Sequence, residues 1–391
     1  MRFREVVFVL FVIFFGLLIT LVARQQGGAG LWWRYQSYSY PEEETTSCPL
    51  YSFIKIDNRF GDVRVSSWDR ALLSATLTKQ IWAPNKKKAK GIADRLQLIL
   101  RQEGNIYRVS TNRDELNNIT YDYQTDMQFM VPLNSQVTVE NQRGEVEIRG
   151  LAGDQEVINT GDKILATDID GNLVIKGRDN VIVVEGIKGG LTVNNLHGDV
   201  TITKVEGELL VENPYGDVKA DEIGGKARII SKHSSISLSK IGRDIEVIAP
   251  NSRVWIREAE GSLVVETTNE PVSVEGFRGE VRIKTTNATI DLYTAVPLAG
   301  GIRVVNSNGN IQLSLPEEVS FQIEAIASEG SVNSDFQYTN LVFSQQEGST
   351  FLTGTYREGG PQLYLKTEKG DIILKKIPSV SVVAEPSRPE S

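Results

Sequence analysis

Short segments in which apolar and polar residues alternate run along most of the chain from about residue 52 onward. Examples are Val218-Lys-Ala220, Ile236-Ser-Leu238 and Val281-Arg-Ile283. A period of two residues is typical of a β-strand that buries one face and exposes the other. The alternation therefore predicts an all-β fold made of many short strands.

A longer phrase, Asn-x-x-Gly-x-Val-x-Val, recurs with this alternation. Its asparagines and glycines, together with the glycine of a looser final copy, are Asn58, Gly61, Asn141, Gly144, Asn195, Gly198, Asn213, Gly216, Asn306, Gly309 and Gly370. Copies recur at intervals of roughly 18 to 20 residues, which is the signature of a repeat architecture. One such coil cannot bury its own apolar face, so coils must stack on one another. The repeat predicts a single-stranded β-solenoid, or β-helix, over residues 133–316.

The asparagines and glycines of the phrase have a structural interpretation. The glycine is expected to adopt a positive φ at the corner before each strand, and the asparagine to bond the turn backbone and stack from coil to coil. The alternative is a calcium site built from turn carboxylates, namely Asp162, Asp168, Asp170, Asp199 and Asp217. Because these residues lack the dense Asp-x-Asp spacing of calcium-binding repeats, no metal site and no cofactor are predicted.

The segments on either side of the repeat have a different pattern. Residues 51–132 combine alternating segments with a stretch from Asn85 to Leu100 that has apolar residues at helical spacing, which are Ile92, Leu96, Ile99 and Leu100. This pattern predicts an α+β cap, because an open solenoid end would template aggregation. Residues 317–376 are predicted to form C-terminal coils and a second cap, and residues 377–391 a disordered tail.

The N-terminus carries an apolar run from Val6 to Ala23 without a charged residue, preceded by Arg2 and Arg4. A run of about 18 residues is at the lower end of what spans a bilayer. Residues 1–24 are therefore predicted to form one transmembrane helix that anchors the protein. The arginines keep the N-terminus cytoplasmic and place the bulk of the chain outside, in the periplasm or on the cell surface.

A cleaved signal peptide is the alternative interpretation of this segment, because Gly27-Gly28-Ala29 offers small residues to a peptidase. Either interpretation implies export. Residues 25–50 are predicted to form a juxtamembrane spacer, because the stretch from Pro41 to Pro49 is rich in glutamate and threonine.

The charge and cysteine content exclude several classes of protein. The net charge of -8 argues against nucleic acid as a partner. The one dense basic cluster, Lys86 to Lys88 with Lys90, is interpreted as the solvated face of a short helix. Cys48 is the only cysteine, which excludes an internal disulfide framework and a multi-cysteine metal site. It is expected to be a free structural thiol, with an intermolecular bridge as the alternative.

The order of these phrases resembles a known bacterial family, the candidate adhesin domains of unknown function in envelope proteins. The likeness begins at Ile54-Lys-Ile-Asp-Asn58-Arg-Phe-Gly61-Asp-Val63 and continues from Met130-Val-Pro132 into Asn141. It closes with Gly309 to Pro316, Glu329 to Val332 and Lys366 to Leu374, so that it covers roughly residues 50 to 376. The resemblance implies a β-solenoid tethered by one N-terminal helix, an envelope location and an adhesive or scaffolding role. It supplies no catalytic residues.

An enzyme is the alternative to a binding surface, because β-helices also serve as polysaccharide lyases and hydrolases with paired carboxylates in a groove. The short turns of this chain leave little material for groove walls, and His197 and His233 lack the spacing of catalytic or metal partners. No catalytic residue is therefore predicted. The expected function is a non-catalytic, adhesin-like binding or scaffold surface for an envelope protein or glycan. The candidate contact aromatics are Tyr215, Trp255, Phe277 and Tyr293, with a place in the core as their alternative.

Overall fold

The computed structural model describes residues 35–116, 121–346 and 348–378. The predicted anchor (1–24) and nearly all of the predicted disordered tail (377–391) lie outside these residues. In the part of the chain that is described, no helix combines the length and the apolar character that a membrane crossing requires.

Strands dominate the fold. In chain order they are β1 (Gln36–Ser47), β2 (Phe53–Asn58), β3 (Val63–Trp68), β4 (Leu72–Ala83), β5 (Leu98–Glu103), β6 (Ile106–Thr111), β7 (Tyr123–Pro132), β8 (Gln136–Asn141), β9 (Val146–Ala152), β10 (Gln155–Asp170), β11 (Leu173–Ile187), β12 (Leu191–Asn194), β13 (Val200–Val205), β14 (Leu209–Asn213), β15 (Val218–Ile223), β16 (Ala227–Ser231), β17 (Ser235–Ile241), β18 (Ile245–Pro250), β19 (Arg253–Ala259), β20 (Leu263–Thr268), β21 (Val272–Phe277), β22 (Val281–Asn287), β23 (Ile290–Tyr293), β24 (Ile302–Asn308), β25 (Ile311–Pro316), β26 (Phe321–Glu329), β27 (Val332–Ser334), β28 (Thr339–Gln346), β29 (Ser349–Tyr356), β30 (Gln362–Lys369) and β31 (Ile372–Ile377). The prediction of an all-β fold with stacked repeats is confirmed.

The strands form two parallel layers, here called sheet 1 and sheet 2. Even-numbered strands from β12 to β24 pair with one another in sheet 1, and odd-numbered strands from β13 to β25 pair in sheet 2. The long strands β10 and β11 continue around the corner and contribute to both layers. Each coil therefore supplies one strand to each sheet, and Leu191, Leu209 and Ala227 are aligned from coil to coil.

The inward side chains of the two sheets make one continuous core. Val193 and Val211 of sheet 1 are fully buried, as are Ile202 and Leu238 of sheet 2, and all four belong to the same cluster. Burying a valine, isoleucine or leucine side chain contributes roughly 1.5–3 kcal/mol. The repeated pair of inward apolar residues on each strand therefore holds neighbouring coils together.

The first and last coils do not lie at the ends of the stack. The coil made of β2 and β3 lies between the β6–β7 coil and the β8–β9 coil. In the same way, the β30–β31 coil lies between β24–β25 and β26–β27. Both terminal coils are thus held by parallel pairing on two sides, and antiparallel strands such as β5, β4 and β29 continue the sheets beyond them.

The helix of the N-terminal region is shorter than the sequence predicts. Helix α1 spans Lys86–Ala93, and the Asn85 side chain caps it by accepting a hydrogen bond from the Lys88 backbone at 3.0 Å. Ile99 and Leu100 lie on β5, which pairs antiparallel with β6, rather than on the helix. The spacing of apolar residues in this segment is compatible with a helix and with a strand, and the pairing with β6 stabilises the strand. A short 3₁₀ helix follows at Arg113–Glu115.

The predicted juxtamembrane spacer contains a strand. All twelve residues of β1 pair antiparallel with β4, and Glu42 forms an ion pair with Lys79 at 2.6 Å. Because β1 is an edge strand with little buried surface, its residues lack the apolar alternation that would reveal it. Cys48, at the end of this strand, is a fully buried free thiol whose pKa is raised by that burial.

Candidate binding surface

A column of buried polar side chains follows one inner corner of the stack, at the end of the sheet 1 strands. Its members, each no more than 5% exposed, are Asn58, Asn141, Asn159, Asn195, Asn213, Ser231, Thr267, Thr285, Asn306 and Thr367. The Asn213 amide donates to the carbonyl of Gly216 in its own turn and to that of Gly198 in the preceding coil, both at 3.0 Å. These asparagines therefore join adjacent corners mainly through backbone carbonyls, and are engaged in structure rather than available to a ligand.

The predicted turn glycines stand directly after this column. All six adopt a positive φ; they are Gly61, Gly144, Gly198, Gly216, Gly309 and Gly370. A Cβ on Gly216 would overlap the carbonyl oxygen of Gly198 in the coil below. Glycine is needed here both for the left-handed conformation and for the close approach of two backbones.

The carboxylates that we considered as calcium ligands mostly have structural partners. Asp199 accepts a hydrogen bond from the Asp217 backbone at 2.9 Å, and Asp217 accepts one from the Ser235 backbone at 2.8 Å, so each caps the next coil. Asp162 accepts a hydrogen bond from the Gly144 backbone at 2.9 Å, and so caps the preceding coil. Asp170 pairs with Lys188 at 2.7 Å, and this hydrogen bond raises the pKa of the lysine.

Asp168 is exposed and adopts a left-handed φ of 55° at the opposite corner. Across residues 35–116, 121–346 and 348–378, no group of three or more histidine, cysteine or acidic side chains is arranged to hold a metal ion.

Both histidines lie in a second, outer column that sequence inspection missed. His197 stacks on Tyr215 with ring centroids 5.2 Å apart, and Tyr215 stacks on His233 at 6.4 Å. His197 also contacts Asp179 at 2.8 Å. The signal that could have revealed this column is a regular spacing of eighteen residues, which is shared by Asp179, His197, Tyr215 and His233.

Farther along the stack this outer column becomes an asparagine ladder. Asn269 donates to Asn251 at 2.6 Å, Asn287 to Asn269 at 2.7 Å, and Asn308 to Asn287 at 2.5 Å. The amide-to-amide ladder expected from the sequence therefore lies mainly on the outside of the corner.

The outer face of sheet 2 carries an arginine–tryptophan–arginine strand. Arg253, Trp255 and Arg257 of β19 point outward, while Val254 and Ile256 between them point into the core. The Trp255 side chain is 37% exposed, and the Arg257 guanidinium lies 4.4 Å from its ring centre. This strand places an exposed indole and two cationic side chains on an open, flat surface.

Three of the four candidate contact aromatics are exposed. Tyr215 is at the outer corner, whereas Trp255 and Tyr293 are both on sheet 2, with 37% and 39% exposure. Phe277 is fully buried and belongs to the core, which was the alternative predicted for it. Three depressions of the described surface are lateral grooves of about 720, 850 and 740 Å³, and neither histidine lines any of these three.

Comparison with known proteins gives one family. A family described as Toastrack DUF4097 matches residues 51–375. No curated protein matches the chain.

Solved structures of bacterial proteins also align with it. A candidate cell adhesion protein from Clostridium sporogenes is 8% identical, with 86% of this chain and 100% of that chain covered and a TM-score of 0.18. A candidate adhesin from Bacteroides fragilis is 12% identical, with 86% and 97% covered and a TM-score of 0.21. A candidate lipid-binding protein from Parabacteroides distasonis is 14% identical, with 86% and 96% covered and a TM-score of 0.24.

Proposed function

This chain belongs to the Toastrack DUF4097 family, and we propose that it is a non-catalytic, adhesin-like binding surface of the bacterial envelope. In this proposal the N-terminal segment holds the protein in the membrane, and the stacked coils project a rigid surface that binds an envelope glycan or protein. Sheet 2 is the binding face.

The observation that carries the proposal is the exposure of Trp255 and Tyr293 on one flat sheet. Isolated apolar side chains are common on protein surfaces, but tryptophan and tyrosine are enriched at binding sites because each combines a large apolar ring with a polar group. Both residues sit on strands whose backbone is fixed by parallel pairing on two sides. A ligand would therefore meet a surface that is already ordered and loses little entropy on binding.

The contacts of three carboxylates, Asp170, Asp199 and Asp217, support a non-catalytic role. A glycosidase needs two carboxyl groups facing one another across a substrate groove. Here Asp199 and Asp217 cap the backbone of the next coil, and Asp170 pairs with a lysine. These three carboxylates are therefore engaged in contacts that join one coil to the next.

The test is binding without turnover. The full-length chain, purified in detergent, is applied to an array of bacterial and host glycans and to immobilised envelope proteins, and the bound material is then analysed for cleavage. We expect saturable binding with the ligand recovered intact, and a loss of binding on Trp255→Ala. Release of shortened sugars would restore the carbohydrate-active enzyme as the better interpretation, and binding to neither class of ligand would contradict the proposal.

The proposed location is supported by the uncharged run from Val6 to Ala23 behind Arg2 and Arg4. Cell fractionation with protease added outside the inner membrane tests it. We expect the chain in the membrane fraction, with its residues beyond the anchor digested. A full-length product protected from external protease would contradict this topology.

A further inference from the structure

Arg253 and Arg257 differ from those arginines and lysines of the surface that are paired with acidic neighbours. Arg228 is paired with Glu246 at 3.1 Å and Arg282 with Glu280 at 2.7 Å, as are many lysines with their neighbours. Among the described residues, neither Arg253 nor Arg257 forms an ion pair or a side-chain hydrogen bond to another protein group. The Arg257 Nε is also buried without a partner. Neither guanidinium is therefore neutralised by a protein carboxylate, and the part of each group that reaches solvent can bind an external acceptor.

The strands on either side leave room above Trp255. On β17 the outward residues Ser235, Ser237 and Ser239 are aligned with Arg253, Trp255 and Arg257. On β21, Ser273 is aligned with Trp255 on the other side. These small side chains flank the indole, against which the Arg257 guanidinium lies, with hydroxyl groups that donate and accept hydrogen bonds.

The spacing of the charges indicates an extended ligand. Arg253 and Arg257 are four residues apart on one strand, so their backbone positions are about 13 Å from each other, with Trp255 midway. The Arg257 side chain folds back toward this midpoint, so its guanidinium lies 4.4 Å from the Trp255 ring centre. A chain with anionic groups on separate units would contact one arginine, stack on the indole and reach the second arginine.

The surroundings favour carboxylated sugars over other polyanions. Arginine binds carboxylates in a planar, two-pronged geometry, and the indole offers an apolar face to a sugar ring. The whole chain has a net charge of -8, and Glu275 is aligned with Arg257 on the adjacent strand. This negative charge opposes every polyanion, and it opposes a densely charged polyphosphate most, because such a ligand requires a clustered basic surface.

We propose that Arg253, Trp255 and Arg257, bordered by the serines of β17, form a subsite for a carboxylated polysaccharide of the polyuronate class. The inference rests on the proposed binding function and names its ligand. Glu275 weakens the site by repulsion of the ligand carboxylates, so its neutralisation strengthens binding.

The experiment is calorimetric titration of the full-length chain, in detergent, with oligogalacturonate. Its methyl ester, in which the carboxylates are masked, is the neutral probe, and duplex DNA is the competing polyanion. Trp255→Ala is expected to weaken binding about tenfold or more, which corresponds to roughly 1.4 kcal/mol. Arg253→Gln and Arg257→Gln are each expected to weaken it about threefold to fivefold, and Glu275→Gln to tighten it about twofold to threefold.

Two variants serve as matched controls. Trp82 is 36% exposed, nearly the same as Trp255, but lies on β4 at the N-terminal end. Arg228 is an exposed arginine of sheet 1. Trp82→Ala and Arg228→Gln are expected to bind as the wild type does, and the circular dichroism of all variants should match, since the substituted positions point away from the core.

The outcomes separate this inference from the proposed function. Equal affinity for the acid and its methyl ester, or a loss on Trp82→Ala but not on Trp255→Ala, overturns the subsite while leaving a binding function in place. Tighter binding of DNA than of oligogalacturonate assigns the site to phosphate polyanions and also overturns it. Absence of binding to every glycan and protein tested in the array overturns both.

Discussion

The buried amide of Asn213 should be one of the most sensitive positions in the stack. Its side chain is fully buried and donates to the carbonyls of Gly198 and Gly216. In Asn213→Ala these carbonyls lose donors in a place that water does not reach. The Gly216 carbonyl loses its donor entirely, while that of Gly198 keeps a longer bond of 3.4 Å from Asn195.

The magnitude follows from the cost of a buried polar group without a partner. That cost is about 1–3 kcal/mol per group, so Asn213→Ala should destabilise the protein by about 3 kcal/mol. Asn213→Asp keeps the shape but removes the donors and sets a carboxylate against two carbonyls, and it should be worse than alanine. Asn213→Ser should recover about half of the loss, because one hydroxyl donates one bond. The next coil already uses a serine, Ser231, at this position.

The assay is urea unfolding followed by circular dichroism, with the midpoint compared at unchanged slope. Asn287→Ala is the control, because Asn287 belongs to the exposed ladder and its loss should change stability by no more than about 0.5 kcal/mol. If Asn213→Ala lies within that same margin, or if Asn213→Asp is as stable as the wild type at neutral pH, the inner column does not hold the corners together and the reasoning is refuted.

Three further predictions follow from the corners and the C-terminal cap. Gly216→Ala should cost at least about 3 kcal/mol in urea unfolding, because it combines a strained positive φ of 145° with overlap of the Gly198 carbonyl; a cost below 1 kcal/mol would contradict this. Lys204→Gly should raise stability by up to about 1 kcal/mol, since Lys204 is held at a φ of 58°, and a loss of stability would contradict the strain. Burial raises the pKa of Tyr338 to about 12, so the folded state holds a proton that the unfolded state releases near pH 10. Stability is therefore fully present below pH 10 and falls as pH rises from about 10 to about 12, and alkaline unfolding should be less steep in Tyr338→Phe than in the wild type.

The stacked β architecture was predictable because its signals are local. The strands of the repeat show their buried face through alternation, and each copy of the repeated phrase carries a glycine where the backbone turns with a positive φ. The position of the terminal coils was not predictable, because the insertion of β2 between β6 and β8 depends on pairing between residues far apart in sequence. Strand β1 was missed for a related reason: its partner β4 supplies its hydrogen bonds, and its own residues bury little.

The candidate site was predictable in part. The sequence predicted Trp255 as a candidate contact aromatic with a place in the core as its alternative, and it did not reveal that the neighbours of Trp255 are serines. The absence of ion pairs at Arg253 and Arg257 depends on which side chains the adjacent coils align, and that register emerges only from stacking. The outer column of His197, Tyr215 and His233 was readable from spacing, but only after a coil length of eighteen residues is known.

The most direct test of the account is hydroxyl-radical footprinting of the full-length chain with and without a saturating polyuronate, with oxidation of individual residues measured by mass spectrometry. The account predicts that oxidation of Trp255 falls sharply in the presence of the sugar, while oxidation of Trp82 and Tyr215, which are similarly exposed, does not change. Protection of Trp82 or Tyr215 with Trp255 still fully oxidised would show that the ligand binds elsewhere and that sheet 2 is not the binding face.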